Sequence, residues 1–156
     1  MANHISVSIT CPNLEATIHF GNIFGGNLKG GEVIELSSDL GGGKTTLVKA
    51  IAEGAGSNDL VSSPSFTICN QYQTAEFTIY HFDFYRLTEP GIMKRELEEY
   101  IDDQKAVVII EWPGLVEGVL PEYRASIAID ATGDSSRRFN ISISDKQKYL
   151  IEGLSV

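Results

Sequence analysis

The chain has 156 residues, of which 42% are hydrophobic, and a formal net charge of −9 at pH 7. This length fits one domain spanning residues 1–156, and the apolar runs, such as 107–110, are far shorter than the roughly 18 residues needed to cross a bilayer. The negative charge repels a polyphosphate backbone, so any contact with nucleic acid needs a local basic patch or a basic partner.

The first third of the chain predicts a strand, a helix, a second strand and a second helix. Residues 4–10 alternate apolar and mostly hydroxyl side chains, which indicates a half-buried strand at the flank of a sheet. Asn13 is a suitable N-cap for a helix over roughly residues 13–25. A strand over 32–36 leads directly into a glycine-rich loop, and apolar side chains at helical spacing follow that loop. The order is therefore strand, glycine loop, helix.

The remaining elements predict two hairpins separated by a helix and a central strand. Segments 66–73 and 77–85 form the first hairpin, and 124–130 and 139–144 form the second, with Arg137 and Arg138 in its turn. A helix opening at residues 88–90 places apolar side chains on its inner face: Ile92, Leu97, Tyr100 and Ile101. The run 107–110 then predicts a strand buried on both faces, and the residues from 146 onward form a short helix or a frayed end.

The two cysteines and the N-terminal residues indicate the cellular compartment of the protein. Cys11 and Cys69 are 58 positions apart with no Cys-x-x-Cys pair, so we expect two buried thiols rather than a disulfide or a zinc site. Residues 1–4 have neither the basic opening nor the apolar stretch of a secretory signal. We therefore expect a cytoplasmic protein.

The glycine loop has the composition of a phosphate-binding loop. Backbone N–H groups can surround a phosphate chain only where no side chain blocks the approach, and a helix that follows adds its free N–H groups. The residues expected to bind a nucleoside phosphate are Gly41, Gly42, Gly43, Lys44, Thr45 and Thr46. Lys44 reaches the outer phosphates, and Thr45 has the spacing to place its hydroxyl on Mg²⁺.

The loop departs from the full pattern G-x-x-x-x-G-K-[ST], because Ser38 stands where the first glycine is expected. We therefore expect weaker or less rigid nucleotide binding than in a loop with that glycine restored. Taken alone, Gly43-Lys44-Thr45 also fits an ordinary helix start after a flexible turn. The preceding strand and the amphipathic helix that follows favour the nucleotide interpretation.

Two acids lie at or near the ends of predicted strands, where ligands of parallel sheets bind. Glu111 ends the central strand, and Asp83 lies in a segment whose alternation puts His81, Asp83 and Tyr85 on one face. Either acid can serve a Mg²⁺ ion or the attacking water, or can merely pair with a local cation. We expect His81 to be a structural histidine with satisfied hydrogen bonds, and Arg86 to form a strand-end ion pair.

A hydroxyl-rich segment lies between the loop helix and the next strand. It contains Ser63, Ser65 and Thr67 around Pro64, and it fits either an ordinary turn or a switch-like loop that contacts the γ-phosphate and the metal.

Four ordered segments together resemble the TsaE family, which is also called YjeE. They are residues 39–46, residues 63–67, residues 81–87 and Ile109-Ile110-Glu111-Trp112-Pro113. The chain departs from the family pattern at Ser38, at Gly42 for the usual alanine, at Ser65 for the usual threonine and at Gly114 for the usual acid. The last departure affects contacts near Trp112, which is a candidate contact for a partner or the nucleotide.

The resemblance implies an α/β P-loop NTPase fold with a central, mainly parallel sheet, antiparallel edge strands and flanking helices. It also implies an ATPase subunit of the machinery that adds threonylcarbamoyl to adenosine 37 of tRNA, acting with ATP and Mg²⁺ in a complex with the TsaB–TsaD heterodimer. The tRNA is then reached only through these partners. In the family, residues matching Lys44 and Thr45 hold phosphates and Mg²⁺, and acids matching Asp83 and Glu111 serve the metal and hydrolysis.

Two other classes of protein share these features. A small-molecule P-loop kinase needs an acceptor pocket and usually an arginine-bearing lid, and no basic lid is visible in the sequence. A non-enzymatic, nucleotide-sensing adaptor binds nucleotide without cleaving it, and Ser38 in the loop is compatible with that class.

Overall fold

The computed structural model describes residues 3–38, 42–61, 69–85 and 91–154, with the backbone only at positions 92 and 115. Its strands are β1 (His4–Cys11), β2 (Val33–Ser37), β3 (Cys69–Gln73), β4 (Thr78–Asp83), β5 (Ala106–Glu111), β6 (Ala125–Ala131) and β7 (Arg137–Ser144). Its α-helices are α1 (Leu14–Gly26), α2 (Lys44–Gly54) and α3 (Gly91–Ile101), and two 3₁₀ helices cover Gly114–Val119 and Asp145–Ile151. No helix in the described ranges has the length and apolar character that crossing a membrane requires.

The described strands form one sheet in the order β1-β7-β6-β2-β5-β4-β3. The four central strands, β6, β2, β5 and β4, run parallel to one another, whereas β1, β7 and β3 pair antiparallel. Both predicted hairpins are present, as β3–β4 and β6–β7, although residues 66–68 of the first lie outside the described ranges. The expected mixed α/β fold with a mainly parallel centre and antiparallel edges is confirmed.

Helix α1 begins where its sequence predicts and packs tightly on α2. The side chain of Asn13 caps α1 by accepting a hydrogen bond from the Ala16 N–H at 2.8 Å. Two glycines make the close packing possible, because a Cβ on Gly25 would overlap the Ile51 backbone and one on Gly54 would overlap the Asn22 backbone. This contact fixes α2, and with it the helix start at Gly43 and Lys44, against α1.

Strand β5 lies at the centre of the core, with all its residues buried. One face of the sheet packs on α1 and α2 in a large apolar cluster that includes Ile109, and the other face packs on α3 and the first 3₁₀ helix in a smaller cluster that includes Ile110. The predicted burial of 107–110 on both faces is confirmed. Leu97 of α3 is fully buried, as expected, and residues 88–90 lie outside the described ranges.

Two expectations about the remaining chain are refined. Of the two alternatives for the residues from 146 onward, the short helix is confirmed: Asp145–Ile151 forms the second 3₁₀ helix, which begins with a capping box between Ser144 and Gln147. Cys11 is a buried free thiol, but Cys69 is only partly buried, because it begins the edge strand β3. The expectation of two buried thiols was therefore wrong for Cys69.

Candidate functional site

The glycine loop connects β2 to α2, as the sequence predicts. Gly41 lies outside the described ranges, whereas Gly42 is buried and Gly43 is the N-cap of α2. Gly43 has a φ of 101°, in the left-handed region that favours glycine, and no side chain caps the helix after it. The first N–H groups of α2 have no partners within the helix, so Lys44, Thr45 and Thr46 begin a helix with an open, partially positive end.

Ser38, which stands in place of the first glycine, does not need the conformational freedom of glycine. Trp112 is the one non-glycine residue with a positive φ in the described part of the chain, so the backbone of Ser38 is outside the left-handed region. A serine adopts such a conformation as readily as other residues. The φ of Ser38 therefore shows no strain at this position, and because residues 39–41 lie outside the described ranges, the expectation of weaker or less rigid binding stays a prediction.

Lys44 folds back over the ends of the central strands. Its Nζ lies 3.9 Å from Oε1 of Glu111 and 4.8 Å from the centre of the Trp112 ring. Only 10% of the lysine side chain is exposed. The lysine expected to bind phosphate and the acid at the end of β5 are therefore close together, although they are 67 positions apart in the sequence.

Glu111 is the centre of a buried chain of polar side chains. Its Oε2 lies 2.5 Å from Nε2 of His81, and Nδ1 of His81 lies 3.3 Å from the hydroxyl of Tyr72. Glu111 is 3% exposed and His81 is fully buried. The expectation of a histidine with satisfied hydrogen bonds is confirmed, and one of its partners is a candidate catalytic acid.

Asp83 ends β4 beside Glu111, its partner in the parallel register of β4 and β5. Phe82 in β4 and Phe84 just after it lie in the smaller apolar cluster, and His81 lies on the opposite face, as the alternation predicts. Asp83 is partly buried, and its Oδ1 accepts a hydrogen bond from the Tyr85 N–H at 3.0 Å. The two candidate acids are thus neighbours at the carboxyl ends of β4 and β5.

Two aromatic side chains border the acids. The rings of Tyr85 and Trp112 are 5.0 Å apart, and both residues are substantially exposed, at 48% and 37%. Trp112, the residue after Glu111, has a φ of 56°, which is unfavourable for a bulky side chain. An exposed aromatic pair therefore lies next to Lys44 and the two acids.

Arg137 is a residue of the site that the sequence analysis missed. The sequence predicts it to lie in a hairpin turn, but it begins β7, and its Nε donates a hydrogen bond to the Gly42 carbonyl oxygen at 3.0 Å. No spacing in the sequence links these residues, which are 95 positions apart. A cavity of about 190 Å³ lies beside this contact, lined by Leu14, Thr17, Gly42, Gly43, Thr46, Asp134, Ser135, Arg137 and Phe139.

Three other predicted features lie outside the described residues. They are the switch-like loop with Ser63, Ser65 and Thr67, the first loop residues 39–41, and Arg86 with its expected ion pair.

Comparison with known proteins identifies the family. The family model for the threonylcarbamoyl adenosine biosynthesis protein TsaE matches residues 11–139. The chain belongs to the TsaE family. The four resembling segments are thus part of a family match that covers most of the chain.

Individual TsaE proteins are similar over most of their length. The chain is 36% identical to the tRNA threonylcarbamoyladenosine biosynthesis protein TsaE of Bacillus subtilis, over 92% of this chain and 90% of that protein. It is 33% identical to the TsaE protein of Haemophilus influenzae, over 79% and 78% of the two chains. The crystal structure of Bacillus subtilis YdiB aligns with a TM-score of 0.77 and 29% identity, over 97% of this chain and 95% of that one.

Proposed function

We propose that this TsaE-family chain is a P-loop NTPase that binds ATP with Mg²⁺ and hydrolyses it in support of tRNA threonylcarbamoyladenosine biosynthesis. The observation that carries the proposal is the meeting of Lys44, at the open start of α2, with Glu111, at the end of the central strand, at 3.9 Å. A helix start binds phosphate, and acids at strand ends serve its metal or the water. Family membership ties this chemistry to the tRNA pathway.

The phosphate side of the proposal rests on the loop. Gly41, Gly42 and Gly43 provide backbone without side chains, and the first turn of α2 offers N–H groups at Lys44, Thr45 and Thr46 that have no acceptor within the helix. Lys44 adds a full positive charge that is held near the sheet edge. The adjoining cavity of about 190 Å³ has apolar side chains, Leu14 and Phe139, that suit a nucleoside.

The donors fit a magnesium ion. Mg²⁺ takes oxygen ligands, keeps several waters and needs only one or two carboxylates beside the phosphates. The exposed Thr45 in the first turn of α2 and the neighbouring Asp83 and Glu111 supply hydroxyl and carboxylate oxygens. When bound, the ion would offset charge on the phosphates.

The remaining roles belong to side chains of the chain itself. Lys44 binds phosphate oxygens, and one of Asp83 and Glu111 orients the attacking water and accepts its proton. His81 holds the Glu111 carboxylate in place through the 2.5 Å contact with Oε2. Burial of this pair keeps the carboxylate from rotating freely toward solvent.

A partner is expected to complete the active complex. Tyr85 and Trp112 are exposed aromatic residues beside the acids, and such residues are enriched in interfaces. We expect the TsaB–TsaD heterodimer to be that partner and to carry the contact with tRNA, because the net charge of −9 disfavours direct binding of RNA by this chain.

Thermal melting with ATP, ADP and GTP, each with and without Mg²⁺, tests nucleotide binding. A ligand at 100 times its Kd stabilises the fold by about 2.7 kcal/mol, which raises Tm by about 5 to 11 °C for a chain of this length. Lys44→Ala should abolish most of this shift. Lys49→Ala, which removes an exposed lysine from the same helix, should retain it.

Phosphate release then tests hydrolysis. We expect the rate of the chain alone to be low and to rise when TsaB and TsaD are added. Complex formation with no phosphate release would instead favour the nucleotide-sensing adaptor, and transfer of phosphate to a nucleoside or sugar would favour the kinase. The absence of any nucleotide-dependent Tm shift would refute all three functions.

A further inference from the structure

The guanidinium group of Arg137 joins the β6–β7 turn to the glycine loop. Its Nε donates to the Gly42 carbonyl at 3.0 Å, and its Nη1 donates to the carbonyls of Gly133 and Ser136 at 3.1 and 2.8 Å, with a longer contact to the Asp134 carbonyl at 3.4 Å. The side chain is partly buried at the loop. One planar group therefore fixes a turn and a loop relative to each other.

The contact with Gly42 determines which way one peptide group of the loop faces. In a trans peptide the C=O and the following N–H point in opposite directions. Because the Gly42 carbonyl points toward Arg137, the N–H of Gly43 points away from it. An inward carbonyl would repel a phosphate, whereas an inward N–H binds it.

A peptide between two glycines needs such a restraint. Glycine populates both positive and negative φ with little steric cost, so the Gly42–Gly43 peptide can rotate more readily than most. Gly43 is already at a φ of 101°. A hydrogen bond from a charged donor, which is stronger than one between neutral groups, selects one orientation.

We propose that Arg137 is a positioning residue for the nucleotide phosphates: it holds the Gly42 carbonyl outward and so presents the Gly43 N–H to the phosphate chain. This inference rests on the proposed nucleotide binding at the same loop. It differs from a role limited to capping the β6–β7 turn, for which the three Nη1 contacts would suffice.

Three variants separate these roles. Arg137→Met removes both the charge and the Nε donor, and Arg137→Lys keeps the charge but lacks the planar guanidinium. Arg138→Met is the matched control, because Arg138 is the exposed neighbour on the opposite face of β7 and its loss changes the net charge equally. Titration calorimetry with MgADP and with Mg²⁺-tripolyphosphate measures binding, and a melt without ligand measures stability.

We expect Arg137→Met to weaken binding of both ligands roughly tenfold or more, as for the loss of a hydrogen bond that involves a charged group. Arg137→Lys should recover only part of this affinity, and Arg138→Met should bind like the unmodified chain. In ¹⁵N-resolved NMR spectra without ligand, the Gly43 amide resonance should move in both Arg137 variants and stay in place in Arg138→Met.

The outcomes distinguish this inference from the proposed function. If the unmodified chain binds neither ligand, the proposed function fails. If it binds and Arg137→Met binds equally well, or loses thermal stability without losing affinity, the positioning role is wrong. Should Arg137→Met not fold, Arg137→Lys decides: full affinity with an unmoved Gly43 resonance would overturn the inference, and weakened affinity with a moved resonance supports it.

Discussion

Glu111→Gln gives the sharpest test of the electrostatics of the site. The substitution removes a negative charge 3.9 Å from Lys44 Nζ while it keeps nearly the same shape. A glutamine amide can still form a hydrogen bond with Nε2 of His81, because the histidine can adopt either tautomer. We therefore expect the fold to persist and the charge balance around Lys44 to change.

Two effects of the substitution favour nucleotide in the absence of metal. In the free protein Lys44 loses the carboxylate that competes with phosphate, and in the bound protein a negative charge beside the phosphates is gone. Two unit charges about 4 Å apart interact by about 4 kcal/mol at an effective dielectric constant of 20. If about a third of this interaction energy contributes to the free energy of binding, the affinity for metal-free ADP rises about tenfold.

Titration calorimetry with ADP in EDTA, and then with Mg²⁺, measures this change. We expect Glu111→Gln to bind metal-free ADP more tightly and to gain less ADP affinity when Mg²⁺ is added. We also expect it to lose the release of phosphate from ATP. Glu35→Gln is the control, because it removes a carboxylate 3.6 Å from Arg124 Nε without affecting Lys44. Unchanged or weaker binding of metal-free ADP by Glu111→Gln would refute the electrostatic account.

Three further predictions concern packing, the loop and a thiol. Gly25→Ala should lower the free energy of unfolding, measured by chemical denaturation, by about 1–3 kcal/mol, because the new Cβ would overlap the Ile51 backbone. The control Gly26→Ala should be neutral or stabilising, because the nearest atom to its Cβ would be 3.5 Å away. Ser38→Gly should leave ADP affinity in calorimetry unchanged or lower, since Ser38 is not in the left-handed region and glycine makes the free loop more flexible; a clear gain in affinity would contradict this. Burial and then the charge of Glu96 raise the pKa of the Cys69 thiol from 9.0 to about 12, so alkylation at pH 8 should be slow until the chain is unfolded in urea. Between these two pKa values the folded chain keeps the thiol proton and the unfolded chain loses it. The protonated thiol therefore contributes its full stability below pH 9.0, and this contribution declines as the pH rises toward 12. In melts across that range, Cys69→Ala should show a smaller loss of stability with pH than the unmodified chain.

Local patterns predicted the elements and the faces of this fold well. The alternation of residues 4–10 identified β1, and the apolar run 107–110 identified β5, because each pattern reflects how many faces of a strand are buried. Alternation also placed His81 and Phe82 on opposite faces of β4. Periodicity is a local property, so it can be read without knowing which strands are neighbours.

The contacts within the site depend on strand order, which these patterns do not encode. The contact between His81 and Glu111 exists because β4 lies beside β5 in parallel register. The hydrogen bond from Arg137 to Gly42 requires the second hairpin to extend past β2, across 95 positions of sequence. Arg137 and Arg138 are consecutive arginines, and in the sequence nothing but position distinguishes the one that contacts the loop from its exposed neighbour.

The burial of Glu111 and Lys44 supports the proposed role of these two residues in chemistry more than a role in stabilising the fold. Removing two charges from water costs several kcal/mol per ion, and a buried pair is often no more stable than apolar side chains of the same volume. Lys44 is nevertheless held with its side chain 10% exposed, at the open end of α2, facing a carboxylate that is 4% exposed. Apolar packing on both faces of β5 and the close α1–α2 contact can offset that cost. Apolar side chains at these two positions would often be no less stable, so the retained charges support the nucleotide binding proposed above.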